Sequence, residues 1–216
     1  MSFSNASEEE SIPQPPIHPS TIYKALAKHI VENYGVEEGL CLDIGSGVGL
    51  LGIELARLTQ LKVLLLDVDR KALVGGLTNA KHFKVEGRVS AVLADAHNLP
   101  FKPNSVNLVV SRGVIPFSKD RVKMFKEVYR VLVEHGFALI GGGIHSGSLK
   151  YLPEHSRERL REEVRMRMTR FFSSPQGRGY DHPDKWRLEE WLREAGIRQF
   201  RIISDDPGKW IEILKP

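Results

Sequence analysis

Leu40-Cys41-Leu42-Asp43-Ile44-Gly45-Ser46-Gly47-Val48-Gly49-Leu50-Leu51 runs from an apolar stretch, through an acidic residue and three alternating glycines, into a second apolar stretch. The first part is short and apolar enough to be a buried strand. From Leu50 the apolar positions Leu51, Leu55 and Leu58 follow helical spacing. Glycines between them let the backbone approach a ligand closely. The free N–H groups at the start of the helix favour a carboxylate or phosphate.

Working outward, the same alternation repeats. Strands are expected over 62–66, 88–94, 106–111 and 137–140, with helices over 70–83 and 119–133 between them. The strands read as nearly continuous apolar runs, the pattern of a parallel sheet covered on both faces. Upstream, Ile22, Leu26, Ile30 and Tyr34 recur at four-residue spacing and mark a helix over about 20–34. Downstream the rhythm breaks. A helix over 153–172 carries Leu160, Val164, Met168 and Phe171 on one side, a loop follows, and a helix over 183–195 stops at Gly196. The last strands, 200–204 and 209–214, are joined by Asp205-Asp206-Pro207-Gly208, which makes an antiparallel hairpin. The fold expected is α/β: a doubly wound, mostly parallel seven-stranded sheet, with a C-terminal antiparallel hairpin and a helical insertion after strand five. Residues 1–18, rich in Ser, Glu and Pro, read as a flexible arm. Residues 19–216 form one domain, in which 144–182 is expected to cover a substrate site together with the N-terminal helix.

Composition narrows the function. At 216 residues, 41% hydrophobic and 27% charged, the chain is neither fibrous nor wholly disordered. No stretch approaches the ~18 apolar residues of a membrane span, and the N-terminus lacks the basic and apolar regions of a secretory leader. A cytoplasmic protein with no membrane partner is the expectation. One cysteine, Cys41, excludes an internal disulfide, a Cys-based zinc site and an iron–sulfur site. The net charge of +4 is modest, and the arginines concentrated over 157–170 are interleaved with Glu158, Glu162 and Glu163. That pattern fits a solvated helix face better than a nucleic-acid footprint. No sequence signal fixes an oligomeric state, and no Ser/His/Asp or Cys/His nucleophile signature is present.

Acidic residues recur where later strands end: Asp67 after the second and Asp95 after the third. In an open α/β sheet the ligand crevice lies at these carboxyl ends. A carboxylate after strand two suits the two hydroxyls of a ribose, and one after strand three could accept from an adenine amino group. Asp43, beside the glycine loop, could favour an ammonium directly or through water. Together they describe a nucleoside bearing an amino-acid tail. Gly47-Val48-Gly49-Leu50-Leu51-Gly52 also matches the dinucleotide pattern G-x-G-x-x-G. In that pattern, however, the first glycine follows the strand directly. That glycine is Gly45, whose third partner would be Leu50, so NAD(P) ranks below.

Four segments in order carry a family likeness: 42–49, Leu66-Asp67-Val68-Asp69, 94–101 (Ala-Asp-Ala-His-Asn-Leu-Pro-Phe) and 107–112 (Asn-Leu-Val-Val-Ser-Arg), followed by the helix 125–132. In them the chain resembles the class I S-adenosylmethionine-dependent methyltransferases, on the small-molecule branch that includes the ubiquinone/menaquinone-biosynthesis C-methyltransferases. One departure is Leu132-Val133-Glu134-His135-Gly136, where the family has Leu-x-Pro-Gly-Gly; a local change in that loop is expected. The resemblance implies S-adenosyl-L-methionine as cofactor, S-adenosyl-L-homocysteine as product and no metal. It implies cofactor contacts at Asp43, Gly45, Ser46, Gly47, Gly49, Asp67, Val68, Asp95, Ala96 and Ser111.

Such a reaction needs an acceptor placed in line with the methyl group, in a dry site, and no covalent nucleophile. A general base helps only some acceptors. His145, just after Gly141-Gly142-Gly143, is the candidate base; a loop histidine with no role is an equal reading. Arg112 and Tyr23 are candidate substrate contacts. The function expected is methyl transfer to a small-molecule acceptor. An RNA or protein methyltransferase is the second reading, and a non-catalytic adenosyl-ligand-binding protein the third.

Overall fold

The computed structural model describes residues 20–216, so the arm expected over residues 1–18 lies outside it. Strands β1 (Leu40–Ile44), β2 (Lys62–Asp67), β3 (Val89–Leu93), β4 (Val106–Arg112), β5 (Leu132–Gly143), β6 (Phe200–Asp205) and β7 (Gly208–Leu214) form one sheet in the order β3-β2-β1-β4-β5-β7-β6. The first five are parallel, and β7 runs antiparallel between β5 and β6. This is the expected doubly wound sheet with its C-terminal hairpin. Among the described residues no helix is long and apolar enough to cross a membrane.

Side chains on successive strand residues point to opposite faces, and two cores follow from that alternation. Cys41, Val63, Leu65, Leu108 and Val110 pack against α1 (Ser20–Tyr34), α2 (Leu50–Leu58) and α3 (Arg70–His82). Leu42, Ile44, Val109, Ala138 and Ile140 pack on the other face, against α4 (Arg121–Val131) and α6 (Leu188–Glu194). Each large side chain removed from water contributes about 1.5–3 kcal/mol. A third, smaller cluster joins Ile22 and Ala25 of α1 to Leu160 and Val164 of α5 (Glu154–Ser173). It docks the segment after β5 onto the N-terminal helix.

Two boundaries differ from the sequence expectation. Residues Pro183–Lys185 form a short 3-10 turn, and α6 begins only at Leu188. Strand β5 begins earlier, at Leu132, which pairs with Val106. Pairing then skips to Phe137 opposite Leu108, leaving an irregularity where the family's Pro-Gly-Gly is replaced. His135 takes the left-handed conformation there, at φ 60°. Its N–H donates to Lys215 O, and Lys215 N–H donates to Gly136 O. The Lys215 ammonium also donates to the carbonyls of Tyr129 and Leu132. A cation thus satisfies carbonyls left open at the end of α4.

The strand order reverses between β1 and β4, the position where an open α/β sheet leaves its ligand crevice. Asp43 and the glycine loop stand at one side of that opening, Arg112 and Gly113 at the other.

Candidate active site

The glycine loop is held from both sides by carboxylates. Gly45, Gly47 and Gly49 all have positive φ, and an added Cβ on Gly47 would meet nothing within 4 Å. Its exposed side is open space in the crevice. Asp67 Oδ2 accepts from Gly47 N–H at 2.8 Å, and Asp67 Oδ1 accepts from Asp69 N–H at 2.9 Å. Asp69 caps α3 by accepting from Lys71 N–H. Asp67 therefore anchors the loop as well as facing the crevice. Asp43 is 2% exposed, and its Oδ2 accepts from Gly52 N–H at 3.0 Å. Burial, partly offset by the Gly52 bond and reinforced by the negative charge of Asp67, lifts its carboxyl from 3.8 to about 7. The buried hydroxyl of Ser46 has no partner among the described residues.

Three cavities meet at Arg112, across from this loop. A cradle of about 240 Å³ is bounded by Asp43, Gly45, Ser46, Gly47, Tyr23 and Arg112. A larger cavity of about 680 Å³ runs along Asp67, Val68, Asp95, Ala96 and His97 and reaches Arg112, Phe117 and Tyr180. A third, of about 290 Å³, lies under α5 and is lined by Tyr23, Arg112, Gly142, Met168, Phe171 and Trp186 among others. Arg112 borders all three. Alternation along β4 sends this side chain to the α1 face, where its guanidinium lies 4.9 Å over the Tyr23 ring. It donates to Tyr23 Oη at 3.2 Å and to Gly143 O at 3.0 Å, while its buried Nε has no partner.

The Asp95 carboxylate accepts from His97 N–H at 2.9 Å. That bond, with the adjacent imidazole, holds its carboxyl below the usual carboxylate range. His97 Nε2 reaches Ser118 Oγ at 2.9 Å, so the histidine ties the Asp95 loop to the start of α4 across the cavity.

Most of the residues singled out in the sequence therefore converge. Asp43, Gly45, Ser46 and Gly47 meet at the cradle; Asp67, Val68, Asp95 and Ala96 meet in the large cavity; Tyr23 and Arg112 join the two to the third. Gly49 is buried behind the loop and serves the turn, because an added Cβ there would strike Leu65. Two of the residues singled out lie apart from the cavities. Ser111 is fully buried and borders none of the three cavities, because it lies on the opposite face of β4 from Arg112. His145 is likewise buried away from them. Its Nδ1 accepts from Gly147 N–H at 3.1 Å, its ring lies 4.3 Å from that of His29, and its Nε2 has no partner. It lines none of the three cavities, so nothing in the geometry supports a general-base role for it. Sequence reasoning missed Phe117, Arg167, Trp186 and Lys209, all of which border the third cavity. They come from the β4–α4 loop, α5, the turn before α6 and β7, and no local pattern links those segments. Among the described residues, no cluster of His, Cys, Asp and Glu could hold a metal ion.

Residues 42–140 match the methyltransferase-domain family. A ubiquinone/menaquinone biosynthesis C-methyltransferase of Marinomonas sp. is 29% identical over 122 residues, 55% of this chain and 49% of that protein. A malonyl-[acyl-carrier protein] O-methyltransferase of Geobacter sulfurreducens is 29% identical over 171 residues, 68% of this chain and 63% of that protein. The chain thus spans about half to two thirds of the length of these curated relatives. A crystal structure from Methanococcus maripaludis, assigned as an S-adenosyl-L-methionine-dependent methyltransferase, superposes with a TM-score of 0.75. It is 32% identical, and the match covers 90% of this chain and 85% of that one.

Proposed function

This chain belongs to the class I S-adenosylmethionine-dependent methyltransferases, and from that premise we infer that it transfers a methyl group from S-adenosylmethionine to a small, largely apolar acceptor. The observation that carries the reading is the meeting of three cavities at Arg112: one for an amino-acid tail, one for a nucleoside, one for an acceptor.

The residues fit the cofactor. Gly47 leaves the cradle open, the Ser46 hydroxyl awaits a partner, and Asp43 offers a carboxyl that a cationic tail would ionise. Asp67 would take the ribose hydroxyls with the lone pairs its two backbone bonds leave, and Asp95 would face the adenine amino group. S-adenosylmethionine, when bound, would supply an activated methyl group on its sulfonium, and S-adenosylhomocysteine would be its product. Tyr23, Arg112 and the α5 side chains Met168 and Phe171 would position the acceptor and exclude water. Val164 and Met168 roof the third cavity, so a folded polymer could not reach the methyl group without α5 moving. This favours a small molecule over RNA or protein.

Calorimetry with S-adenosylhomocysteine tests the reading. The wild-type protein should bind it, and Asp67→Ala should weaken binding by about tenfold or more, the size of one or two charge-assisted hydrogen bonds. No binding to the wild type, or equal binding by a folded Asp67→Ala protein, would overturn the assignment.

A further inference from the structure

We propose that the acceptor is bound as an anion: an apolar body carrying one oxyanion, carboxylate or phosphate, held by Arg167 of α5 and Lys209 of β7. The proposal rests on reading the third cavity as the acceptor site.

That cavity is lined by aromatic and aliphatic side chains together with three cations, Arg112, Arg167 and Lys209, and no Asp, Glu or His borders it. Elsewhere on α5, three arginines, Arg159, Arg161 and Arg165, pair with carboxylates. Arg161 pairs with Glu158 at 3.2 Å, and Arg165 with Asp206 at 2.9 Å. The side chains of Arg167 and Lys209, which border the cavity, have no hydrogen-bond or ion-pair partner among the described residues; Arg167 stands exposed at the rim, and Lys209 also borders a neighbouring cavity lined by Glu189, Glu190 and Glu194. Arg112 donates only to neutral oxygens, Tyr23 Oη and Gly143 O. Like charges gathered on apolar walls repel one another, and the repulsion grows as water is excluded. A bound oxyanion relieves it and gains charge-assisted hydrogen bonds.

The lining also lacks a carboxylate or imidazole to take a proton from a neutral acceptor. An acceptor that is already ionised needs none, and neighbouring cations favour its ionised form. The residues that make the cavity cationic thus also answer how it works without a base. Size sets the rest: about 290 Å³ admits one or two fused rings with a single polar group.

The test uses naphthalene-2-carboxylate, 2-naphthyl phosphate and the neutral naphthalene-2-carboxamide as probes, titrated into the full chain saturated with S-adenosylhomocysteine. At least one oxyanion should bind about tenfold or more tightly than the amide. That advantage should fall to within about twofold in the double variant Arg167→Gln/Lys209→Gln, whose fold is checked by circular dichroism. Tighter binding of either the carboxylate or the phosphate supports the proposal and names the oxyanion. Equal binding of all three by the wild type, or an advantage that survives in the double variant, overturns it. S-adenosylhomocysteine affinity is measured separately. Its absence would sink the methyltransferase reading, while the comparison of acid and amide still judges the anion site.

Discussion

Asp43 is a residue whose chemistry changes on folding. Its carboxyl is buried, and burial lifts it to about 7. Near neutrality it is therefore partly protonated in the free protein. A cationic amino-acid tail in the adjoining cradle would favour the ionised form, so binding should expel a proton between about pH 6 and 7. Affinity for S-adenosylhomocysteine should rise as pH increases from 6 to 8. The binding heat at pH 6.5 should differ between buffers of different ionisation enthalpy, and the difference should vanish in Asp43→Asn. Identical heats in phosphate and Tris for the wild type would show that Asp43 keeps its proton and does not meet the tail.

At the scale of one element, β5 ends in Gly141-Gly142-Gly143, and Gly142 and Gly143 do different work. An added Cβ on Gly143 would strike the Pro207 carbonyl, and its φ of 80° lies in the left-handed region. An added Cβ on Gly142 would meet only the Gly113 Cα, at an ordinary 3.8 Å, and Gly142 lines the third cavity, proposed above for the acceptor. Gly143→Ala should therefore destabilise the fold by about 1–3 kcal/mol, measured by urea unfolding. Gly142→Val should fold normally and keep its affinity for S-adenosylhomocysteine while losing binding of the naphthalene probes. Probe binding that survives Gly142→Val would place the acceptor elsewhere. The helix α5 divides in the same way. Leu160 and Val164 hold it on α1, and the next turns, Met168 and Phe171, face the cavity. One apolar stripe, legible in the sequence, serves first as an anchor and then as a wall.

Across the whole molecule, pH acts on two buried histidines and one buried aspartate with opposite sign. Burial, with the neighbouring His145 and Lys150, lowers His29 from 6.5 to about 4, although Glu212 opposes the shift; burial also lowers His145. Between pH 6.5 and 4 the unfolded chain binds these protons and the folded one does not, so the histidines remove stability as pH falls. Asp43 works the other way: from pH 7 down to about 4 the folded chain holds its proton and the unfolded chain does not, which adds stability on acidification. Asp43→Asn removes the favourable half and should lose stability between pH 6.5 and 4 more steeply than the wild type, by urea unfolding at each pH. Parallel profiles for the two proteins would defeat this account.

By itself the sequence determined the sheet, its hairpin and the glycine loop, because periodicity and turn chemistry act over a few neighbouring residues. Leu42, Val63 and Val109 declare their strands locally, and Gly45 to Gly49 declare a backbone that needs positive φ. The acidic residues at strand ends were legible for the same reason: each follows its own strand. Only the tertiary structure decided what those residues face. Ser111 and Arg112 are neighbours in sequence, yet the pleat sends one into the core and the other to the junction of three cavities. His145 sits beside the glycine run that borders the third cavity, yet it turns inward to pack on His29 and Trp210. The third cavity was legible only in part: Tyr23 and Arg112 were candidates from the sequence, whereas Phe117, Arg167, Trp186 and Lys209 come from separate parts of the chain. Their meeting depends on how α1, α5 and β7 pack together, which is a long-range property that no local spacing records.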